Sequence, residues 1–90
     1  CVADAILLSQ LLYWQGIPSY LKNGWFYKSA RELKKETGLK EHAIETAREK
    51  LIRLGLIEAK YMMIYGHRTL AYRIDRKGLK TWLDAQSFKD

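Results

Sequence analysis

The chain has few residues of several types, and each shortage excludes a class of protein. Its single cysteine, Cys1, cannot form an intrachain disulfide and gives no sign of an oxidising compartment. One cysteine and two histidines, His42 and His67, are too few for a four-ligand zinc site. No glycine-rich phosphate loop and no pairing of a nucleophile with a base is present. We therefore expect no metal, no other cofactor and no enzymatic activity.

Long hydrophobic runs are also missing. The most apolar stretch, residues 2–15, is interrupted by Asp4, Ser9 and Gln10 and is too short to cross a bilayer. It lacks the basic segment and the small-residue cleavage site of a signal peptide. The expectation is a cytoplasmic protein without membrane contact. Because no initiator methionine precedes Cys1, we also expect the sequence to be a fragment of a longer protein.

What the chain does contain is apolar residues and positive charge. Its hydrophobic content of 48% is ample for a core, and 90 residues predict one domain spanning positions 1–90. Lysine and arginine number 16 against 10 acidic residues, which gives a formal net charge of +6. A small domain this basic usually binds a polyanion, most commonly nucleic acid. A basic surface without a partner is the alternative.

The order of the predicted helices is the strongest guide to the fold. Ser29 and Glu32 have the spacing of a capping box, which predicts a helix over residues 30–37. Gly38 supplies the left-handed conformation that ends it. A longer helix is predicted over residues 41–54, and strand-forming residues follow. A helix-turn-helix that leads into a β-hairpin is typical of a winged-helix DNA-binding domain.

The remaining residues predict a small sheet and a last helix. Two β-rich runs, 56–65 and 69–75, flank a glycine-containing turn at residues 66–68. The aromatic run at residues 25–28 predicts a short edge strand. Asp75 is placed to cap a C-terminal helix. The predicted fold class is therefore α+β: a winged helix-turn-helix with a three-helix core, a β-hairpin wing and a C-terminal helix.

Helical periodicity divides the predicted third helix into two faces. At 100° per residue the core-facing stripe consists of Ala43, Ile44, Ala47, Leu51 and Leu54. The opposite face, which enters the major groove in winged helices, holds His42, Glu45, Thr46, Glu49 and Arg53. Three glutamates, at positions 41, 45 and 49, form an acidic ladder that would repel phosphate. The alternatives are a solvated face with Glu49 paired to Arg53, or a face that contacts a protein.

The candidate DNA-binding residues carry basic or hydrogen-bonding side chains near the helix-turn-helix or the hairpin. They are Lys28, Ser29, Arg31, Lys40, His42, Thr46, Arg48, Lys50, Arg53, His67 and Arg68. Arg68, at the predicted hairpin tip, is placed to reach a minor groove or its phosphates. The simplest interpretation of His67 is a polar turn residue. The predicted partner is double-stranded DNA.

The predicted first helix, residues 2–15, is apolar on more than one face and should be buried on more than one side. We predict that it forms a homo-oligomer interface through Leu7, Leu8, Leu11 and Trp14. A two-fold dimer would present two recognition helices to two half-sites. The alternatives are a covering segment of the parent protein, or a central helix wholly enclosed within this domain.

Taken together, these residues resemble the N-terminal winged-helix domain of phage and plasmid replication-initiation proteins, the replisome organisers. The resemblance rests mainly on residues 8–14 (LSQLLYW), 23–29 (NGWFYKS), 36–39 (ETGL) and 54–58 (LGLIE). It implies binding to an origin in double-stranded DNA, often as an oligomer, with other replication proteins contacted through other segments of the parent protein.

The chain departs from that family at the start of the third helix. The family pattern has a small hydroxyl residue where Lys40 stands and basic residues where Glu41, Glu45 and Glu49 stand. Losing the cap at position 40 should weaken the helix start by ~1 kcal/mol. A winged-helix transcriptional regulator, or a protein-interaction winged helix without strong DNA affinity, stays open as an alternative function.

Overall fold

A computed structural model describes residues 2–87, with side chains up to residue 85. Within that range the chain forms four α-helices, three β-strands and one 3-10 turn, which confirms the α+β class. In chain order these are α1 (Val2–Gln15), the 3-10 turn (Pro18–Tyr20), β1 (Phe26–Tyr27), α2 (Ala30–Thr37), α3 (Glu41–Arg53), β2 (Ile57–Ile64), β3 (His67–Ile74) and α4 (Arg76–Ser87).

The capping residues predicted at both ends of α2 form the expected structures. The Glu32 N–H donates to Ser29 Oγ at 3.1 Å and the Ser29 N–H donates to Glu32 Oε1 at 3.0 Å, so the capping box is complete. Gly38 ends the helix at φ +75°, and its N–H donates to the Lys34 carbonyl. Lys40 precedes α3 without a side-chain cap. The first turn of α3 therefore lacks the stabilisation that a serine or aspartate would supply.

The sheet is antiparallel with strand order β1-β3-β2, so β3 lies in the centre. Ile64 pairs with His67, which leaves a two-residue turn of Tyr65 and Gly66. Both turn residues have positive φ, +50° and +79°, as a type I′ hairpin requires. The predicted turn at residues 66–68 was therefore wrong. His67 and Arg68 belong to β3 because two left-handed residues already reverse the chain.

Helix α1 lies at the centre of the domain. Leu7 and Leu11 are 0% exposed and belong to the same core cluster as Phe26 and Tyr72. The predicted core-facing stripe of α3 is buried at Ile44, Ala47 and Leu51. It fails at Leu54, which is 45% exposed, because the helix ends at Arg53 and the chain leaves the helical path.

The outer face of the sheet is partly covered. Strict alternation predicts an exposed Ala71, but Ala71 is 0% exposed. Its neighbours across the sheet are Tyr27 and Lys60, whose side chains are longer. The Trp25 ring lies on the same side, 4.3 Å from Lys60 Nζ and 4.6 Å from the Arg73 guanidinium. A small residue in a central strand is buried by such neighbours without any helix above it.

Helix α4 packs close to the turn between α3 and β2. The Gly78 N–H donates to Asp75 Oδ1 at 3.0 Å, which confirms the predicted cap. A Cβ at position 78 would lie 2.2 Å from the Gly55 carbonyl oxygen, so only glycine allows this approach. Leu79 and Trp82 pack against the core. No helix among residues 2–87 is long and apolar enough to cross a membrane.

Candidate nucleic-acid interface

A cleft of about 270 Å³ separates α2 and α3 from the β2–β3 hairpin. Its lining comes from the start of α2, the first half of α3 and the inner face of the hairpin, and includes Ser29, Glu41, Glu45, Arg48, Tyr61, Arg68 and Tyr72. The cleft exists because β2 folds back along α3 after the Gly55 turn, where φ is +75°. It brings together residues from three separate parts of the sequence.

The outward face of α3 is exposed as predicted. His42, Glu45, Thr46, Glu49 and Arg53 are all exposed, and so is Glu41. Glu49 and Arg53 form no ion pair within the part of the chain that the structure describes. The alternative of a self-neutralised, solvated face is therefore wrong for that pair. The acidic ladder presents its carboxylates to solvent.

Arg48 forms part of the wall of the cleft. Its guanidinium donates to the Tyr72 hydroxyl at 3.3 Å, and the residue is half-buried. Burial raises the pKa of the Tyr72 phenol, against the opposing effect of the Arg48 charge and hydrogen bond. Tyr72 thus stays neutral and anchors Arg48 at a defined position beside Glu45 and Arg68 in the cleft.

Beyond Glu58 at its base, the hairpin carries only positive charge. Residues 59–74 contain no aspartate or glutamate, but include Lys60, Arg68 and Arg73. The Arg68 guanidinium lies 4.0 Å from the Tyr61 ring centroid, a diagonal pair on the inner face of the sheet. Both Arg68 and His67 are exposed. Arg31 in α2 and Lys40 just before α3, also predicted to bind DNA, are exposed.

Lys28 was wrongly assigned to the DNA surface. It is only 3% exposed, and its Nζ donates to Glu36 Oε2 at 2.6 Å. The same ammonium lies 3.6 Å from the Trp14 ring centroid, with Glu32 3.7 Å away. Residue 28 follows β1 on the inner face of the sheet, so its side chain enters the space between α1 and α2. A buried ammonium held in this way does not reach a phosphate.

Glu36 joins three parts of the chain around that lysine. Its Oε1 accepts hydrogen bonds from Gln10 Nε2 and Trp14 Nε1, both at 2.8 Å. Burial raises the pKa of Glu36, but the hydrogen bonds from Lys28, Trp14 and Gln10 outweigh it, so the net pKa is lowered below 4.5. Burial lowers the pKa of Lys28, but its hydrogen bond to Glu36 and the electrostatic effects of Tyr20, Glu36 and Glu32 together outweigh burial, so the net pKa is raised. Both groups are therefore charged at neutral pH.

Two further candidates have structural roles instead. The Ser29 hydroxyl is engaged in capping α2. Lys50 Nζ lies 2.8 Å from Asp4 Oδ2, which turns the lysine toward α1 and away from the exposed face of α3. Its assignment to the DNA surface was wrong, because this side of α3 packs beside α1, a contact that helical periodicity alone does not show.

The predicted oligomer interface on α1 was wrong for Leu7 and Leu11. Leu7 and Leu11 are fully buried, and Trp14 is half-buried and donates to Glu36. Leu8 is half-buried against the core. The side of α1 that carries Leu7 and Leu11 is used inside the domain, since α2, α3 and β3 all pack on this helix. The other side stays exposed at Leu12 (38%) and Tyr13 (61%), so the helix is not wholly enclosed.

Sequence reasoning missed the exposed apolar side chains of the hairpin. Tyr61 is 58% exposed, Met63 68% and Tyr65 92%. Alternation within β2 places Tyr61 and Met63 on one face, a pattern that was readable from residues 57–64. The alternation does not show, however, that the inner face of the hairpin extends past the helices, which cover only the part of the sheet nearest the core.

Among residues 2–87, no group of three or more His, Cys, Asp or Glu side chains is arranged to hold a metal ion. Comparison with known protein families gives no match, and no curated protein is significantly similar to the chain. The functional conclusions below therefore rest on the geometry of the cleft, its charges and the sequence motifs.

Proposed function

We propose that the chain is a winged-helix domain that binds double-stranded DNA without catalysing a reaction. In this proposal α2 and α3 form the helix-turn-helix, and the β2–β3 hairpin is the wing. The element order, the antiparallel sheet and the exposed face of α3 support it. The resemblance to replication-initiation proteins extends the proposal to the initiation of phage or plasmid DNA replication. Transcriptional regulation by the same fold is the alternative within this class.

One observation carries the proposal. An exposed helix face and a hairpin that lacks acidic residues over positions 59–74 border the same cleft, with Arg48 and Arg68 both lining it. A helix that enters the major groove and a cationic wing that contacts the neighbouring DNA backbone must lie side by side in this way. The formal net charge of +6 adds an attraction to phosphate that does not depend on sequence.

Binding to random-sequence duplex DNA is expected to weaken steeply as salt rises. Each phosphate that the domain neutralises contributes about −0.9 to the slope of log affinity against log salt concentration. A titration at several salt concentrations measures that slope. We expect Arg31, Lys34 and Lys35, exposed on α2, to contribute in place of the buried Lys28. A slope near zero, or no binding at low salt, would remove duplex DNA as the partner.

The two exposed arginines at the ends of this surface are expected to act differently. Arg53→Ala, on the outward face of α3, should cost roughly 1–3 kcal/mol and relax sequence preference. Arg68→Ala, on the wing, should weaken binding to all sequences about equally. Competition assays with several duplexes measure both effects. Arg76→Ala is the matched control, since Arg76 lines a different groove between α1 and α4. If all three variants bind like the parent chain, neither α3 nor the wing contacts DNA.

A second candidate function is binding to a basic protein partner. The observation that favours it is the acidic ladder, because Glu41, Glu45 and Glu49 are exposed and form no ion pair among the described residues. Unneutralised carboxylates on one helix face complement a cationic surface better than a phosphate backbone. The charge-removal experiment in the Discussion separates the two functions.

A further inference from the structure

The tip of the hairpin exposes several large apolar or aromatic side chains to solvent. Tyr65 is 92% exposed at the turn, and Met63, two residues earlier, is 68% exposed. Tyr61, next along the same face, is 58% exposed under the Arg68 guanidinium. None of the three belongs to the core cluster or to the residues packed against it. We call Tyr61, Met63 and Tyr65 the aromatic edge; the first two lie on the inner face of β2, and the third follows in the turn.

Tyr65 is also an unusual residue for its backbone conformation. Its φ of +50° is the left-handed region, which the first position of a type I′ turn demands and which asparagine or glycine satisfies more easily. The turn itself gains nothing from an aromatic side chain, because the ring is almost wholly solvent-exposed. A side chain that is 92% exposed and sits in a disfavoured backbone conformation is accounted for by a contact outside the chain.

The charges around the aromatic edge select a polyanionic occupant. Arg68 and His67 follow the turn directly, and no carboxylate occurs between Glu58 and Asp75. Cations interleaved with exposed aromatic rings are the arrangement by which proteins hold the phosphates of a strand while bases stack on the rings. An apolar protein partner would not require this charge.

We propose that the aromatic edge stacks on an unpaired DNA base next to the duplex held by the helix-turn-helix. This inference rests on the proposed function. Stacking one base on an aromatic ring is worth about 5- to 150-fold in affinity. Opening a paired step costs about as much or more, so Tyr65 does not gain by forcing apart an intact duplex. The domain therefore prefers DNA in which a base is already unpaired.

Binding to three duplexes that differ at one site tests the proposal. The first is fully paired, the second carries one bulged 2-aminopurine, and the third carries an abasic bulge with the same backbone. We expect the parent chain to bind the bulged base about 5- to 150-fold more tightly than the abasic bulge. We also expect 2-aminopurine fluorescence to be quenched on binding. The preference should persist as salt rises, because stacking is not electrostatic.

Tyr65→Asn is the informative variant because Asn-Gly is a favoured type I′ turn, so the hairpin is retained. It should abolish the preference for the bulged base and leave affinity for the paired duplex unchanged. Tyr65→Phe should keep the preference. Tyr13→Ala removes a comparably exposed ring, 61%, from α1 and should change nothing.

The outcomes separate this inference from the proposed function. A parent chain that binds all three duplexes equally overturns the stacking inference and leaves duplex binding intact. Loss of preference in Tyr13→Ala but not in Tyr65→Asn also overturns it. Failure to bind any of the three DNAs at low salt overturns both proposals together.

Discussion

Replacing Glu36 with alanine is expected to destabilise the fold by about 3–5 kcal/mol, because it leaves the Lys28 ammonium buried without its closest carboxylate. Lys28 is 3% exposed and its Nζ lies 2.6 Å from Glu36 Oε2. The same substitution removes the carboxylate oxygen that accepts hydrogen bonds from Gln10 and Trp14. Those two bonds connect α1 to α2. Glu32, at 3.7 Å and about half exposed, replaces little of this interaction.

Denaturant unfolding of matched variants measures that effect. The double variant Lys28→Met/Glu36→Gln removes both charges while keeping an oxygen acceptor for Trp14, and it should lie within about 1 kcal/mol of the parent chain. Glu58→Ala is the control. Glu58 also lies 2.6 Å from its cation, Arg73, but both side chains are nearly half exposed, so the loss should be about 1 kcal/mol or less. If Glu36→Ala and Glu58→Ala lower the free energy of unfolding equally, burial of Lys28 does not determine the size of the loss.

The same carboxylate gives the stability a pH dependence. The pKa of Glu36 is lowered in the folded chain, so its contribution is present above the ordinary value of 4.5. That contribution is lost as the pH falls through the lower folded pKa. The stability of the parent chain should therefore decline in this acidic range more than that of the double variant. If the free energy of unfolding changes with pH in the same way for the two proteins, Glu36 is not the titrating group.

Removing the acidic ladder is expected to have the largest effect on DNA affinity. In the triple variant Glu41→Gln/Glu45→Gln/Glu49→Gln the formal net charge rises from +6 to +9. If α3 faces phosphate, relief of like-charge repulsion should tighten duplex binding by on the order of 2–4 kcal/mol. The fold should change little, because the three side chains are exposed; loss of Glu41 from the first helical turn costs about 0.3–1 kcal/mol.

A single-charge comparison distinguishes local repulsion from overall charge. Glu45→Gln and Asp84→Asn each remove one negative charge, but Glu45 lines the cleft and Asp84 lines the groove between α1 and α4. Filter binding or fluorescence anisotropy on one duplex should show a larger gain for Glu45→Gln. Equal gains would mean that α3 is not in the interface. Unchanged DNA affinity in the triple variant, together with loss of a basic protein partner, would favour the protein-binding function.

The sequence by itself determined the elements whose causes are local. The capping box of Ser29 and Glu32, the left-handed Gly38 and the Asp75 cap each depend on atoms within four residues of one another, and all three formed as predicted. The exposed face of α3 also followed from helical periodicity alone. These features gave the α+β class and the solvent-exposed residues of α3 without knowledge of the tertiary packing.

Only the tertiary structure decided which basic and apolar residues are available to a partner. Lys28 is buried and Trp14 is half-buried, and Glu36 binds both across 8 and 22 residues of sequence. Leu7 and Leu11 are covered because three other elements pack on α1, which no property of residues 2–15 reveals. The hairpin register likewise depends on both strands, and it moved Arg68 from the turn into β3. The sequence shows how many cations and leucines the chain has. Whether each is buried depends on segments far away in the sequence, which local patterns do not describe.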